Sequence, residues 1–396
     1  EALTTDDPPI IKVNTPEEAR ALVQRELAYQ PDLIKIWYIV RPGETPAQHL
    51  PLVRAAIEEA HAHGVRVAVH ATQLETARLA VQAGADILVH SVYDRAVDKD
   101  FIRLLKERRT LYIPTLIVWE GYREVLSRQV QLSRTELEWA NLYVVATLFD
   151  LYADTSYRPP SAAWIEARME RLRTAQHNLK RLQEGGVLIA AGTDAGNIGT
   201  LHGPAIFREF ELMAEAGLTP QQILTSATLH GAMVLGRPEE LGVVEAGRLA
   251  DLVVLDANPL EDVRHFTSIR FVIKDGHLFH PEDLIQESPA DLVQRQLNAY
   301  NARHLEAFAA TYAPDVILYD FPSTVRLSGL QALKARYGRL FAENPHLHAR
   351  LLGRITLGPY VIDREHVIGR ADGRVIHAVA IYQVVQHKIQ RVWFIR

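Results

Sequence analysis

The 396-residue sequence contains no cysteine, which excludes disulfide bonds, cysteine-ligated zinc and thiol catalysis. It has no apolar run approaching the roughly 18 residues of a membrane span. It also lacks a basic excess, because 43 lysines and arginines against 48 acids leave a formal charge of −5. We therefore expect a small-molecule partner, and neither nucleic acid nor a membrane. The compartment stays open, with the cytoplasm as the first expectation.

The stretch from Val65 to Asp94 organises the rest of the chain. It holds an apolar run ending in His70, a short amphipathic segment, an Ala-Gly stop and a second apolar run ending in His90. Two such runs around a helix predict a parallel βαβ unit, and side chains at the carboxyl ends of parallel strands face the functional site. Either histidine alone is most simply a core residue. Their recurrence at two strand ends points to metal ligands.

Two further polar residues accompany apolar runs. Lys35 lies inside LIKIWYIV, where a lysine is costly unless it is neutralised or paired, and its simplest interpretation is a snorkelling or ion-paired side chain. Asp194 ends VLIAAGTD in a glycine-rich bend, which suits a metal ligand or a general base. The alternative for Asp194 is an Asx-turn that caps the following helix.

The sequence pattern changes twice along the chain. Residues 1–237 alternate strand-like and helical runs, with a predicted strand at 111–119 and a mostly helical insertion at 127–182 that we expect to form part of a lid. Residues 238–286 hold short strands joined by glycine turns. Residues 288–396 begin with helices and continue as a meander of alternating strands, which indicates a separate α+β domain.

The order Lys35, His70, His90, Asp194, with the segments GTDAG and GRLADLVVLDANPL, resembles the amidohydrolase superfamily in its imidazolonepropionase-like and prolidase-like branch. The resemblance covers about residues 12 to 280. It implies an α/β fold, a TIM-type (β/α) barrel with a small β-sandwich, and one or two divalent metal ions, zinc first. It further implies that Lys35 is a carboxylated bridge, that His70 and His90 are ligands, and that Asp194 binds metal and moves protons.

Members of that family carry a His-X-His pair on the first barrel strand, and this sequence has none before Lys35. The pairs at 61–63 and 346–348 do not substitute, because one falls on a helix and the other in the next domain. We therefore expect barrel strands four to eight and a β-sandwich remnant, in a piece of a longer protein. Tyr38 is expected to line the barrel mouth, and His202 to reach substrate or cap its helix.

Residues 288–396 resemble the NTF2-like (SnoaL-like) fold, through LNAYNARHLEAFAATYAPDVILYDFP and the final strands. That fold is a curved sheet wrapped by helices around a conical pocket, and it commonly dimerises, so we expect a homo-oligomer. Tyr300 and Asp320 fall where isomerase-type members place an oxyanion donor and a base. Tyr382 occupies roughly the place of a second, acidic donor. Ligand binding or association is the simpler expectation for this domain.

These observations predict a metal-dependent amidohydrolase that hydrolyses a C–N bond of an amide, dipeptide or cyclic amide through a metal-activated water. The alternative is a catalytically inactive remnant whose NTF2-like domain binds a small apolar ligand or mediates dimerisation. A third hypothesis is isomerase activity at Asp320. The substrate stays open because loops set specificity in barrel enzymes, and ligands of this type also accept manganese, cobalt or iron.

Overall fold

A computed structural model describes residues 10–284 and 286–395 of the chain, so that the first nine residues of the predicted barrel segment lie outside it. Within these residues the chain forms a four-stranded sheet, a three-stranded sheet and a six-stranded sheet. In the described part of the chain, no helix combines the length and the apolar character that a membrane crossing requires.

The first sheet is parallel and has the order β1-β2-β3-β4. Its strands are β1 (Leu33–Trp37), β2 (Arg66–His70), β3 (Ile87–Val89) and β4 (Leu111–Ile113). A bridge between Tyr112 and Ile189 adds the segment that leads to Asp194 beside β4. Among the described residues, β1 has a neighbour on one side only. The carboxyl ends of these parallel segments therefore form one rim.

In the described part of the chain, twelve helices lie before residue 236. They are α1 (Pro16–Leu27), α2 (Pro46–Ala62), α3 (Leu74–Ala83), α4 (Lys99–Arg108), α5 (Ile117–Leu126), α6 (Arg134–Trp139), α7 (Leu142–Thr147), α8 (Asp150–Ala153), α9 (Ala162–Glu184), α10 (Ala205–Glu215), α11 (Pro220–Ala227) and α12 (Leu229–Leu235). Local chemistry explains their limits. Thr15 caps α1 by accepting a hydrogen bond from the Glu18 amide at 3.1 Å, and Gly84 ends α3 with a φ of 110°.

The prediction of one strand over residues 111–119 is wrong in its second half, because α5 begins at Ile117. Pro114 has no N–H for a sheet hydrogen bond, so the strand stops there. The buried Glu209 carboxylate then accepts hydrogen bonds from the Leu116 and Ile117 amides at 2.9 and 2.8 Å. These bonds satisfy the amino-terminal end of α5, and the chain leaves the sheet as a helix.

Residues 252–284 form the second sheet and its flanking helices. The elements are β5 (Leu252–Leu255), a 3₁₀ helix (Val263–Thr267), β6 (Ile269–Lys274), β7 (His277–Phe279) and α13 (Pro281–Leu284). The three strands are antiparallel and consecutive. Short strands with a glycine turn between β6 and β7 agree with the sequence pattern in this region.

The carboxy-terminal region is α+β, in agreement with the sequence pattern. Its elements are α14 (Pro289–Asn301), α15 (Leu305–Ala310), β8 (Tyr312–Asp320), β9 (Thr324–Ser328), α16 (Leu330–Glu343), β10 (His348–Leu357), β11 (Tyr360–Ile368), β12 (Ile376–Val385) and β13 (Lys388–Ile395). The sheet order is β10-β11-β12-β13-β8-β9, and only the β13–β8 pair is parallel. The three helices pack on this sheet.

The insertion between α5 and α9, here called the lid (residues 127–160), packs on the carboxy-terminal domain. One apolar core joins buried lid residues such as Leu137 and Phe149 to residues such as Phe308 of the domain. The Asn298 side-chain amide also donates to the Leu142 carbonyl at 2.8 Å. The carboxy-terminal domain therefore covers the apolar side chains of the lid.

Candidate active site

The structure brings four predicted residues together at the rim of the parallel sheet. His70 ends β2 and His90 follows β3, and the centroids of their rings lie 4.5 Å apart. The His90 Nε2 atom lies 3.9 Å from Asp194 Oδ2. Lys35, on β1, interacts electrostatically with both imidazoles and with the carboxylate. Neighbouring parallel strands account for this convergence, because they end at the same edge.

Both histidines are neutral at pH 7. Burial and the charge of Lys35 lower the pKa of His70 to about 4. Burial, His70 and Lys35 lower the pKa of His90 to about 2. Lys35 is exposed as a whole residue, yet desolvation of its amine lowers its pKa, and the attraction of Asp194 opposes this shift. The rim therefore offers two imidazole lone pairs and one carboxylate.

Three residues at this rim hold a left-handed backbone conformation. His90, Thr115 and Asp194 have φ angles of 77°, 47° and 55°, in the left-handed region that non-glycine residues seldom occupy. The His90 Nδ1 atom lies 2.8 Å from the Thr115 hydroxyl, which leaves Nε2 directed to the side of Asp194. Strained residues held by their surroundings are characteristic of functional sites.

Asp194 is exposed and is positioned by a neighbour that the sequence analysis did not identify. The Asn197 side-chain amide donates to Asp194 Oδ2 at 2.6 Å, and Asn197 Oδ1 accepts a hydrogen bond from the Tyr122 hydroxyl at 3.1 Å. His202 is exposed, and its ring lies beside Gly196 in the same turn, where a Cβ would be 3.3 Å from His202 Cε1. An asparagine three residues after the aspartate was the available signal in the sequence.

Tyr38 differs from its predicted place at the barrel mouth. Its side chain is 3% exposed, and its hydroxyl donates to the Pro46 carbonyl at 2.5 Å. Burial and the charge of Glu75 raise the pKa of Tyr38 to about 12. The hydroxyl therefore fixes the connection between β1 and α2, and it is not available to a substrate.

The donors at the rim fit a divalent metal in type but not in number. Neutral imidazoles and a carboxylate are ligands that zinc accepts. Within residues 10–284 and 286–395, however, no group of three or more histidine or acidic side chains is arranged to hold a metal ion. Lys35 becomes a ligand only if its amine is converted to an anionic group. A complete metal site thus requires that conversion or donors from beyond the described residues.

A second polar site lies inside the carboxy-terminal domain, around the predicted Tyr382. This tyrosine is buried, and its hydroxyl lies 3.5 Å from Glu365 Oε1. Burial and the nearby Asp363 raise the pKa of Glu365 to about 8. Asp363 in turn accepts two hydrogen bonds of 2.7 Å from the Arg354 guanidinium. No acidic donor was predicted here from the sequence, and Glu365 is one.

Tyr300 and Asp320, the other two residues predicted for this pocket, are less buried than Glu365. Tyr300 is partly buried and packs its ring against Phe308 and Phe341, at centroid distances of 6.1 and 5.4 Å. Asp320 is exposed at the end of β8, with its carboxylate 3.5 Å from the Arg326 guanidinium. Asp320 is thus in contact with solvent and with a cation, and an isomerase role for it stays a prediction.

Comparison with known proteins gives matches for both parts of the chain. The profile of the amidohydrolase family matches residues 10–279, and that of the SnoaL-like domain matches residues 293–392. Ochratoxinase of Aspergillus niger is 27% identical over 274 residues, which are 66% of this chain and 49% of that protein. Imidazolonepropionase of Shouchella clausii is 35% identical over 88 residues, 22% of this chain and 19% of that protein.

Among solved structures, a Xaa-Pro dipeptidase with bound methionine has a TM-score of 0.52 at 26% identity, covering 70% of this chain and 63% of that one. This chain spans about half the length of the ochratoxinase that it matches. The family match, however, covers more than half of the chain and includes all four residues at the rim. The chain therefore belongs to the amidohydrolase family through residues 10–279, and it carries a SnoaL-like domain through residues 293–392.

Proposed function

We propose that this chain forms part of a metal-dependent hydrolase that cleaves a carbon–nitrogen bond of the amide type. The observation that carries the proposal is the convergence of His70, His90 and Asp194 beside Lys35, with 4.5 Å between the imidazole centroids and 3.9 Å between His90 Nε2 and the carboxylate. Membership of the amidohydrolase family and the hydrolases among its relatives support the reaction class.

His70 and His90 would hold a divalent metal, for which zinc is the first candidate, through nitrogens that are unprotonated at neutral pH. Lys35 would be the carboxylated bridge of a site for one or two ions. Its lowered pKa increases the fraction of neutral amine, the form that adds carbon dioxide to give an anionic carbamate. A bound divalent ion supplies a hydroxide at neutral pH and polarises a carbonyl.

The chain's own groups account for the movement of the proton. In this proposal the Asp194 carboxylate accepts a proton from water as the water oxygen adds to the carbonyl carbon. It then passes the proton to the amine nitrogen as the C–N bond breaks, leaving a carboxylic acid and an amine. Asn197 holds the carboxylate in place at 2.6 Å, and His202, in the same turn, is a candidate for contact with the substrate.

The proposal includes the division of the chain inferred from its sequence. Residues 1–237 would form barrel strands four to eight, residues 238–286 a portion of the β-sandwich, and residues 288–396 the NTF2-like domain. The one-sided pairing of β1 supports this view, because a closed barrel requires a further strand beside it.

The test is metal analysis of the purified protein by inductively coupled plasma mass spectrometry, together with an amide hydrolysis assay. We expect stoichiometric zinc in the parent protein. His70→Ala and Lys35→Ala should lower metal content and hydrolysis together, by about tenfold or more, because each removes a ligand. His63→Ala is the matched control, since His63 lies on the exposed side of α2 beside Glu59. Metal-free parent protein, or full metal content in His70→Ala, would contradict the proposal.

A second candidate is that the NTF2-like domain acts alone and binds a small, mostly apolar ligand. The buried pair of Glu365 and Tyr382 favours it, because two polar groups in an apolar interior are suited to orient such a ligand. The metal analysis discriminates the two candidates. If the second candidate is right, His70→Ala should leave ligand binding by the NTF2-like domain unchanged.

A further inference from the structure

Four aromatic side chains and two arginines form a cluster at the rim, here called the aromatic–arginine cluster. Its members come from the segment after β3, from α5 and from α9: Tyr93, Trp119, Tyr122, Trp164, Arg168 and Arg171. The Arg168 guanidinium carbon lies 5.1 Å from the ring centroid of Trp119, 5.0 Å from that of Tyr122 and 4.6 Å from that of Trp164. The Arg171 guanidinium lies 5.3 Å from the ring of Tyr93 and 5.9 Å from that of Trp119.

The cluster is connected to the candidate active site by two hydrogen bonds. The hydroxyl of Tyr122, a member of the cluster, donates to Asn197 Oδ1, and the Asn197 side-chain amide donates to Asp194 Oδ2. Helix α5 also touches the turn that follows Asp194, because a Cβ on Gly121 would be 2.7 Å from the Ile198 carbonyl oxygen. The two guanidinium groups therefore lie on the same side of the sheet as the proposed chemistry.

Among the residues that the structure describes, no carboxylate neutralises the positive charge of the cluster. Neither Arg168 nor Arg171 makes an ion pair with the side chains that the structure describes, and Arg168 Nε is buried without a hydrogen-bond partner among them. Arg173 on the same helix differs, because it pairs with Glu166 and Glu170 at 2.5 and 2.8 Å. Burial and the neighbouring Arg171 charge lower the pKa of Arg168. Two like charges that share one indole ring would be stabilised by an anion between them.

We propose that Arg168 and Arg171 bind a carboxylate of the substrate, so that the amides accepted here are N-acyl amino acids or dipeptides with a free carboxyl group. This inference rests on the proposed hydrolase function. A guanidinium presents its N–H donors in a planar fork that matches a carboxylate, and such charge-assisted bonds are the strong ones. The stacked rings keep the guanidinium groups fixed before the anion arrives, which reduces the entropy lost on binding.

The test compares one acid with its neutral amide, N-acetyl-L-leucine against N-acetyl-L-leucinamide. Binding is followed by tryptophan fluorescence, because Trp119 and Trp164 contact Arg168, and by titration calorimetry. The acid should bind about tenfold or more tightly than the amide, since a hydrogen bond to a charged group contributes roughly 1.5–3 kcal/mol. Arg168→Gln should abolish this preference, and Arg168→Lys should keep part of it.

Arg173→Gln is the matched control, because it removes an arginine of the same helix whose partners are glutamates, and it should bind like the parent protein. Circular dichroism checks folding, and Arg171→Gln, an exposed position, serves if Arg168→Gln unfolds. Equal affinity for acid and amide, no saturable binding of the acid, or equal losses in Arg168→Gln and Arg173→Gln would overturn the inference. The titrations use chelator-treated protein, so their outcome is independent of the metal analysis that tests the hydrolase proposal.

Discussion

Glu365 is a carboxyl group surrounded by the interior of the carboxy-terminal domain. Burial and the Asp363 charge raise its pKa to about 8, while Arg354 opposes the shift and the Tyr382 hydroxyl lies 3.5 Å away. At neutral pH this side chain is therefore largely protonated. A protonated carboxyl group can donate a hydrogen bond, which an ordinary surface glutamate cannot do at this pH.

Glu365→Gln should change how stability depends on pH. Because the folded-state pKa lies above the ordinary value of 4.5, the folded protein holds a proton that the unfolded chain releases. The contribution of this group to the free energy of unfolding is therefore full below about pH 4.5, and it is lost as the pH rises through about 8. We expect the parent protein to lose stability relative to Glu365→Gln between about pH 5 and about pH 9 in urea unfolding.

The control for this experiment is Glu306→Gln, at an exposed residue whose pKa is lowered by its hydrogen bond to Lys334. Because it keeps Glu365, that variant should lose stability with rising pH as the parent protein does, so that the difference between the two stays constant between about pH 5 and about pH 9. A stability difference between the parent protein and Glu365→Gln that stays constant over the whole pH range would show that folding does not raise the pKa of Glu365.

At the scale of single residues, the sequence predicted the groups that are marked by strand ends. His70, His90 and Asp194 follow apolar runs, and parallel topology then brings them together. Asn197 was missed because it acts through a side-chain contact that spacing alone does not specify. Glu365 could have been predicted from the sequence. It lies four residues after Val361 in β11, and residues an even number of positions apart lie on the same face of a strand.

Helix α5 and the turn after Asp194 meet at two glycines. A Cβ on Gly121 would lie 2.7 Å from the Ile198 carbonyl oxygen, and one on Gly199 would lie 2.5 Å from Gly121 Cα. Backbone therefore contacts backbone at this point. The close approach fixes α5, with Trp119 and Tyr122, against the segment that carries Asp194.

Gly121→Ala should force α5 away from that turn. The added methyl meets main-chain atoms, which cannot rotate aside, so we expect a loss of about 1–3 kcal/mol in the free energy of unfolding. Thermal unfolding by circular dichroism measures it. Gly231→Ala is the matched control, because a Cβ on this helical glycine would be at an ordinary contact distance of 3.9 Å from the Ser226 carbonyl oxygen, and the variant should become more stable. Equal melting temperatures for the two variants would contradict the close contact.

At the scale of elements, the hydrophobic pattern predicted the βαβ unit around His70 and His90 and the order of helices and then strands after residue 288. It failed after Ile113, where LYIPTLIVW continues to look like a strand although α5 begins at Ile117. The decisive factor is Glu209, which lies about ninety residues further along the chain and satisfies the start of that helix. Local propensity contains no information on such a distant partner.

The whole molecule depends on the core that the lid shares with the carboxy-terminal domain. Leu137, Val145 and Phe149 of the lid are at most 1% exposed, and they belong to the same apolar cluster as Leu292 and Phe308. Without the second domain, these lid side chains would lose one side of their packing. The resemblances in the sequence identified both families. The sequence could not predict this contact, because apolar residues indicate only that they are buried and not which surface they pack against.

Deletion of residues 287–396 should therefore expose the lid and cause aggregation. Contiguous apolar surface of this kind is not tolerated on a soluble monomer, so we expect increased binding of the dye ANS and high-mass species in size-exclusion chromatography. Asn298→Ala in the full chain is the matched control, because it removes one hydrogen bond to the Leu142 carbonyl and keeps the apolar core. A monomeric deletion variant with unchanged dye binding would show that the lid folds without its partner.

The left-handed backbone at the rim has a consequence for anyone who engineers this protein for heat resistance. Thr115 holds a φ of 47°, a conformation that glycine adopts without steric strain, so a stability design that considers backbone conformation alone would choose Thr115→Gly, although this side chain is only 3% exposed. The same exchange removes the hydroxyl that lies 2.8 Å from His90 Nδ1. Relief of backbone strain and retention of the rim geometry thus conflict at one position, and a design for heat resistance has to keep the threonine there.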